Sequence, residues 1–274
     1  MAQLAISTWS VHRAMGSFYH DAPDEVRDNV AEARWGPETL PLLEFPAEVA
    51  RRGYAAAQLC HFHFPSRDES YLADLRAALD EAGVALDALL IDDGDLTHPT
   101  DAAAHERWID GWIDTAAALG ADKARVIAGM QSPTPERLAA SGRALRRLAK
   151  AHPEIRIVTE NWMALLPAAA EVTAVMDETG DRVGLCIDLG NWTGPEKYGE
   201  LAAVVGYAET CHAKCGFTAD GPDQDDFTTC LELLTKAGYD GPLALIYDGP
   251  DADEWGGLEQ EREIARSVLA AQPG

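Results

Sequence analysis

Short apolar runs alternate with amphipathic stretches along almost the whole chain. The first run, Leu4 to Thr8 (LAIST), predicts a strand, and the residues from Trp9 to about Phe45 then show neither helical nor strand period. From there the pattern settles. It predicts a short helix from Pro46 to about Arg52, a strand over Ala56 to Cys60 and a helix from about Glu69 to Ala82. A strand over Ala85 to Ile91 and a helix from about Asp101 to Leu119 follow, then a strand over Lys123 to Ala128 and a helix from about Pro135 to Ala151. The second half repeats the rhythm. Strands are expected at Ile155 to Glu160, Val183 to Asp188, Glu209 to Lys214 and Leu243 to Tyr247. Helices are expected at about Pro167 to Glu178, Glu196 to Val205, Gln224 to Ala237 and Gly257 to Ala270. Trp108, Ile109, Trp112, Ile113, Ala116 and Leu119 recur at helical spacing, which makes the two tryptophans core residues rather than ligand contacts.

Eight strands alternating with eight helices predict a parallel sheet. Eight repeats in 274 residues favour a closed (β/α)8 TIM barrel forming a single domain. A dinucleotide-binding fold would carry GxGxxG after an early strand, and a P-loop would carry GxxxxGK[ST]; neither run occurs. The long stretch between the first strand and first helix holds Trp9, His12, Tyr19, His20 and Trp35, and a connection of that length is expected to be functional or a lid.

In such a barrel the chemistry sits at the C-terminal ends of the strands. The fifth strand, IRIVTEN, ends on Glu160 and Asn161. Three later runs have the same form: VGLCIDLGN with Asp188, YAETCHAKC with His212, and PLALIYDGP with Asp248. The intervals are 28, 24 and 36 residues by subtraction, close to the roughly 30 residues of one βα unit. Glu160, Asp188, His212 and Asp248 are therefore candidate ligands of one divalent cation. A mixed oxygen and imidazole set suits Mn, Mg, Co, Fe or Zn, with no thiolate expected among the ligands. Such an ion polarises a carbonyl, and a neighbouring carboxylate can remove the adjacent proton. Glu160, His61 and Asp248 are the candidate catalytic groups. Trp9, His63, Asn161, Asn191 and Lys214, also at strand ends, are candidate substrate contacts.

Composition narrows the partners. A net charge of −24 argues against nucleic acid, since phosphate binding needs a cationic surface. No apolar run approaches the ~20 residues of a membrane span. The N-terminus lacks a basic region followed by a long apolar one, so a cytoplasmic protein is expected. Five scattered cysteines without CxxC pairs do not suggest a disulfide framework. If His212 faces the interior, strand alternation turns Cys211 and Cys215 outward, away from it.

The runs TEN at 159–161, IDLGN at 187–191 and HAK at 212–214, on eight βα repeats, resemble the xylose-isomerase-like TIM barrels, the sugar phosphate isomerase/epimerase superfamily. The resemblance extends to GYAAAQL before the second strand and AGYDGPLAL leading into the eighth. It implies a divalent metal held by a glutamate, an aspartate and a histidine on strands five to seven, here Glu160, Asp188 and His212. It also implies a strand-eight glutamate that serves as ligand and acid/base. Ile246 stands at that place. Asp248, two residues on, has the same facing but lies about 6.6 Å further along the strand. Asn191 stands where many epimerases carry a histidine, and Cys215 where an acid follows the HxK run. The resemblance implies a sugar or cyclitol carbonyl substrate, enolised as the first step of an isomerisation or epimerisation, and a possible homo-oligomer. Loss of the strand-eight glutamate leaves three alternatives: a one-base mechanism with Glu160 and His61 or His63, a lyase eliminating a β substituent, and a barrel that binds a sugar or partner without turnover.

Overall fold

The computed structural model describes residues 3–24, 31–218 and 220–271. Its eight barrel strands are β1 (Leu4–Ser7), β2 (Ala56–Cys60), β3 (Ala85–Ile91), β4 (Lys123–Val126), β5 (Arg156–Glu160), β6 (Val183–Asp188), β7 (Ala208–Lys214) and β8 (Leu243–Ile246). Between and after them lie α1 (Phe45–Arg51), α2 (Glu69–Ala82), α3 (Ala102–Leu119), α4 (Pro135–Ala151), α5 (Ala169–Thr179), α6 (Lys197–Val204), α7 (Gln224–Lys236) and α8 (Glu254–Ala270). Each strand pairs in parallel with its sequence neighbours, and β1 pairs with β8, which closes the sheet into a barrel. The expected TIM barrel is the observed fold.

Strand alternation explains where the core lies. Leu59, Leu89, Ile91, Ala124, Val126, Ile157, Leu185, Ile187, Ala213 and Leu245 face outward and pack with Leu75, Ile109, Trp112, Leu145, Val172 and Phe227 from the helices. Trp112 is fully buried there, as its helical spacing predicts. The helices start and stop on recognisable signals. Thr134 caps α4 through its side chain, with Pro135 in the first turn. α2 ends at Gly83 in the left-handed conformation (φ 65°), which glycine adopts without a Cβ penalty.

The inner face is mixed. One side is small and apolar: Ala5, Ala56, Ala244 and Ile246 cluster together, with Trp9 packed on them. The other side is a buried polar layer. Asp87 accepts hydrogen bonds from Gln58 Nε2 (2.8 Å) and Thr210 Oγ1 (2.7 Å) and an ion pair from Lys123 Nζ (2.7 Å). This layer is the floor on which the candidate site stands.

The stretch after β1 is more ordered than its lack of period predicts. It forms a helical turn (His12–Met15) and two short strands, Phe18–Tyr19 and Ala31–Glu32, paired antiparallel. Two-residue strands leave almost no alternation to read. Residues 25–30 of this stretch lie outside those described.

Candidate active site at the C-terminal mouth of the barrel

A cavity of about 350 Å³ opens at the C-terminal ends of the strands. Glu160, Asp188, Asn191, His212 and Lys214 line one side, Trp9, Phe18 and Phe62 form an aromatic wall, and Trp162 lies against Arg125. His61, Asp92, Arg125 and Ile246 complete it. The register sets the spacing. Across β6 and β7, Asp188 stands beside His212, and across β5 and β6, Glu160 stands beside Cys186. His212 Nδ1 lies 3.3 Å from Glu160 Oε1 and 3.6 Å from Asp188 Oδ2. All three residues are at most 5% exposed.

The groups behind these three fix their orientation. Gln58 Nε2 is spent on Asp87 and Thr210, so its Oε1 faces His212 and accepts from His212 Nε2 at 2.9 Å. A proton on Nε2 leaves the Nδ1 lone pair for the side where the carboxylates lie. Asp188 Oδ1 accepts from the backbone N–H groups of Gly190 (2.6 Å) and Asn191 (2.7 Å), leaving Oδ2 toward the histidine. Glu160 Oε1 accepts from Asn191 Nδ2 at 2.8 Å, and Oε2 lies 3.1 Å from Arg125 Nε.

Arg125 is the residue that the strand-end reading missed. It is 1% exposed and donates to Asp92 through Nη2 and to the Ile91 carbonyl through Nη1 at 3.3 Å. Its signal was present in KARVIA: Ala124 and Val126 face the helices, so Lys123 and Arg125 must face inward. Burial works against the Arg125 charge, but Asp92 and Glu160 outweigh it and raise its pKa. Burial equally opposes ionisation of Asp92, yet Arg125 and His61 hold its carboxyl at about 2. For Glu160, burial is outweighed by His212 and Arg125, and the pKa falls below the ordinary glutamate value. Burial disfavours a charged His212 ring, but Cys186, Glu160 and Asp188 push its pKa well above the usual histidine range.

The other predicted residues divide. Trp9, Asn191, Lys214 and His61 reach the cavity. His61 Nδ1 accepts from the Asp92 N–H at 3.0 Å, so Nε2 carries the ring proton, and the edges of Trp108 and Trp112 flank the ring. Three stand apart from this group. β8 pairs only as far as Ile246, and Asp248, beyond it, forms an ion pair with Lys214 Nζ at 2.9 Å. Asn161 spends its amide on the backbone of Asp188, accepting at 2.7 Å and donating at 3.0 Å, so it joins two strand ends and lies outside the cavity lining. His63 is 2% exposed, packs against Trp35 and Phe62, and lies outside the cavity lining. Cys186 also stands here: Glu160, Cys186 and His212 each bring a ligand atom within 4.8 Å of the others.

The donor set fits a divalent cation. Arg125 is balanced by Asp92 and Lys214 by Asp248. Glu160 and Asp188 then remain as two carboxylates facing His212 Nδ1, and an M²⁺ ion there would take the place of the ring proton. A second group, Asp24, His98 and His105, brings ligand atoms equally close but does not fit. Both rings accept backbone N–H bonds at Nδ1, from Asp101 and Asp95, so Nε2 is protonated and has no lone pair to offer.

Barrel and sequence agree on a family. The model of the xylose isomerase-like TIM barrel family matches residues 46–268, and the chain belongs to that family. A putative hydroxypyruvate isomerase of Streptomyces coelicolor is 28% identical, the match covering 83% of this chain and 94% of that protein. Among solved structures, L-ribulose 3-epimerase superposes with a TM-score of 0.67 at 18% identity over the full length of both chains. A xylose isomerase-like TIM barrel protein from Mycobacterium smegmatis, in complex with magnesium, gives 0.67 at 17% identity over 98% of each.

Proposed function

We propose that the protein is a divalent-metal-dependent isomerase or epimerase acting on a sugar or cyclitol carbonyl compound through an enediolate. The observation that carries this reading is the convergence of Glu160, Asp188 and His212 from β5, β6 and β7 on one side of the cavity. Glu160 Oε1, Asp188 Oδ2 and His212 Nδ1 would hold the ion, which when bound supplies Lewis-acid polarisation of the carbonyl. The aromatic wall of Trp9, Phe18 and Phe62 packs against the apolar face of the substrate and excludes water. Glu160, kept ionised by Arg125, takes the proton beside the carbonyl. His61, with its Nε2 proton, returns one as the acid. Lys214, held by Asp248, donates to the developing oxyanion.

Ile246 gives strand eight an apolar wall in place of a second carboxylate, which supports a mechanism with one carboxylate base. Loss of a β hydroxyl from the same enediolate would make the enzyme a dehydratase, and product analysis separates the two.

The test is solvent-proton exchange. Metal-loaded protein is incubated in D2O with hydroxypyruvate and a panel of ketoses and keto-cyclitols, and deuterium beside the carbonyl is read by NMR. Exchange with at least one compound, lost 10²-fold or more in Glu160→Gln, is expected. Exchange unchanged in that variant removes Glu160 as the base. No exchange with any compound, by protein that holds its metal, favours a barrel that binds without turnover.

A further inference from the structure

The fold family's fourth ligand strand offers no ligand here, and the candidate replacement comes from inside the barrel. Cys186 lies two residues before Asp188 on β6, so both side chains face the interior. The parallel register places Cys186 beside Glu160, one layer below the Asp188–His212 pair. Its thiol is completely buried, and its Sγ, a Glu160 oxygen and a His212 nitrogen all lie within 4.8 Å of one another. Glu160, 4% exposed, pairs its Oε2 with Arg125 Nε at 3.1 Å, which turns Oε1 toward His212. Across the barrel, where another oxygen ligand would have to enter, Ile246 packs on Ala5, Ala56 and Ala244.

We propose that Cys186 is a metal ligand, adding a sulfur to the Glu160 oxygen and the His212 nitrogen that lie around it. This rests on the metal reading of the same site given above. On coordination the thiol proton leaves to solvent and a sulfur lone pair forms the metal–sulfur bond; no oxidation state changes. A thiolate shifts preference toward zinc or cobalt(II) and away from magnesium, which favours oxygen ligands alone. The site therefore differs in metal selection from one built only of carboxylates and imidazole.

Cobalt(II) added to metal-stripped protein reads the bond directly. A cobalt–thiolate pair gives an intense near-ultraviolet charge-transfer band that oxygen and nitrogen ligands do not. The expected result is one cobalt per chain with that band, retained in Cys60→Ser and lost in Cys186→Ser, together with at least a tenfold loss in zinc affinity relative to magnesium in Cys186→Ser. X-ray absorption of the zinc-loaded wild-type protein reads the same bond without a variant, as a sulfur neighbour at about 2.3 Å. Stoichiometric cobalt without the band, or a band that survives in Cys186→Ser, overturns Cys186 as ligand and leaves the metal reading standing. Failure of the wild-type protein to bind any cobalt overturns both.

Discussion

Arg125 and His63 show two outcomes for an ionisable side chain inside this barrel. Arg125 keeps its charge because Asp92 and Glu160 surround it. Replacing it with methionine leaves Asp92 a half-buried and uncompensated anion, and Arg125→Met is expected to cost about 3–5 kcal/mol in urea unfolding. Adding Asp92→Asn should recover part of that loss, because the two residues share one interaction. Among the described residues His63 has no partner for either ring nitrogen, and burial lowers its pKa to about 3, so it stays neutral. The unfolded chain takes up this proton near pH 6.5 and the folded chain only near pH 3. Stability is therefore complete above pH 6.5 and is lost as the pH falls through that window, by about 4–5 kcal/mol from this group. Unfolding of His63→Phe followed from pH 7 to pH 4 should show a shallower loss than wild type; equal slopes contradict the assignment. At this scale the sequence was readable for residues at strand ends. It was less readable where partners decide. Asn161 and Asp248 have the right chemistry and position, but a neighbouring backbone and a lysine claim them. Arg125 and Cys186 were legible only by extending strand parity inward from the strand ends.

At the scale of elements, the barrel followed from period alone. All eight strands lie within two residues of their expected bounds, because each is a short apolar run closed by polar or glycine residues. What period cannot show is how closely two helices approach. Gly142 sits inside α4, where alanine ordinarily gains about 1 kcal/mol in helix propensity. Here a Cβ would lie 2.7 Å from the Val175 carbonyl oxygen and 2.5 Å from Glu178 Cβ, both on α5. Gly142→Ala is therefore expected to lower stability by about 1–3 kcal/mol, since overpacking exceeds the propensity gain. Thermal unfolding checks it, and a stabilised variant would show that α4 and α5 separate at little cost.

For the whole molecule, closure depends on β1, which bonds to both β2 and β8 and lies outside the residues matched by the family model. No described helix is long and apolar enough to cross a membrane. The net charge of −24 is a property of the entire surface and acts against compactness through self-repulsion. Screening weakens that repulsion, so the midpoint of thermal unfolding at pH 7 should rise between about 10 mM and 150 mM salt, as the Debye length falls from about 30 to 8 Å. A midpoint that falls with salt would mean that the ion pairs outweigh the repulsion. The charge was legible from composition, whereas the placement of Glu160 and Asp188 around His212 required the structure.

The central claim is a metal centre built from strands five, six and seven without strand eight. Its most direct test is the metal content of purified protein by elemental mass spectrometry, in wild type, Asp188→Asn, His212→Ala and Asp248→Asn. The account predicts about one divalent ion per chain in wild type and in Asp248→Asn, and less than a tenth of that in the other two. No ion in wild type, even after reconstitution with manganese, zinc or cobalt, would contradict it. So would an ion lost as completely in Asp248→Asn as in Asp188→Asn.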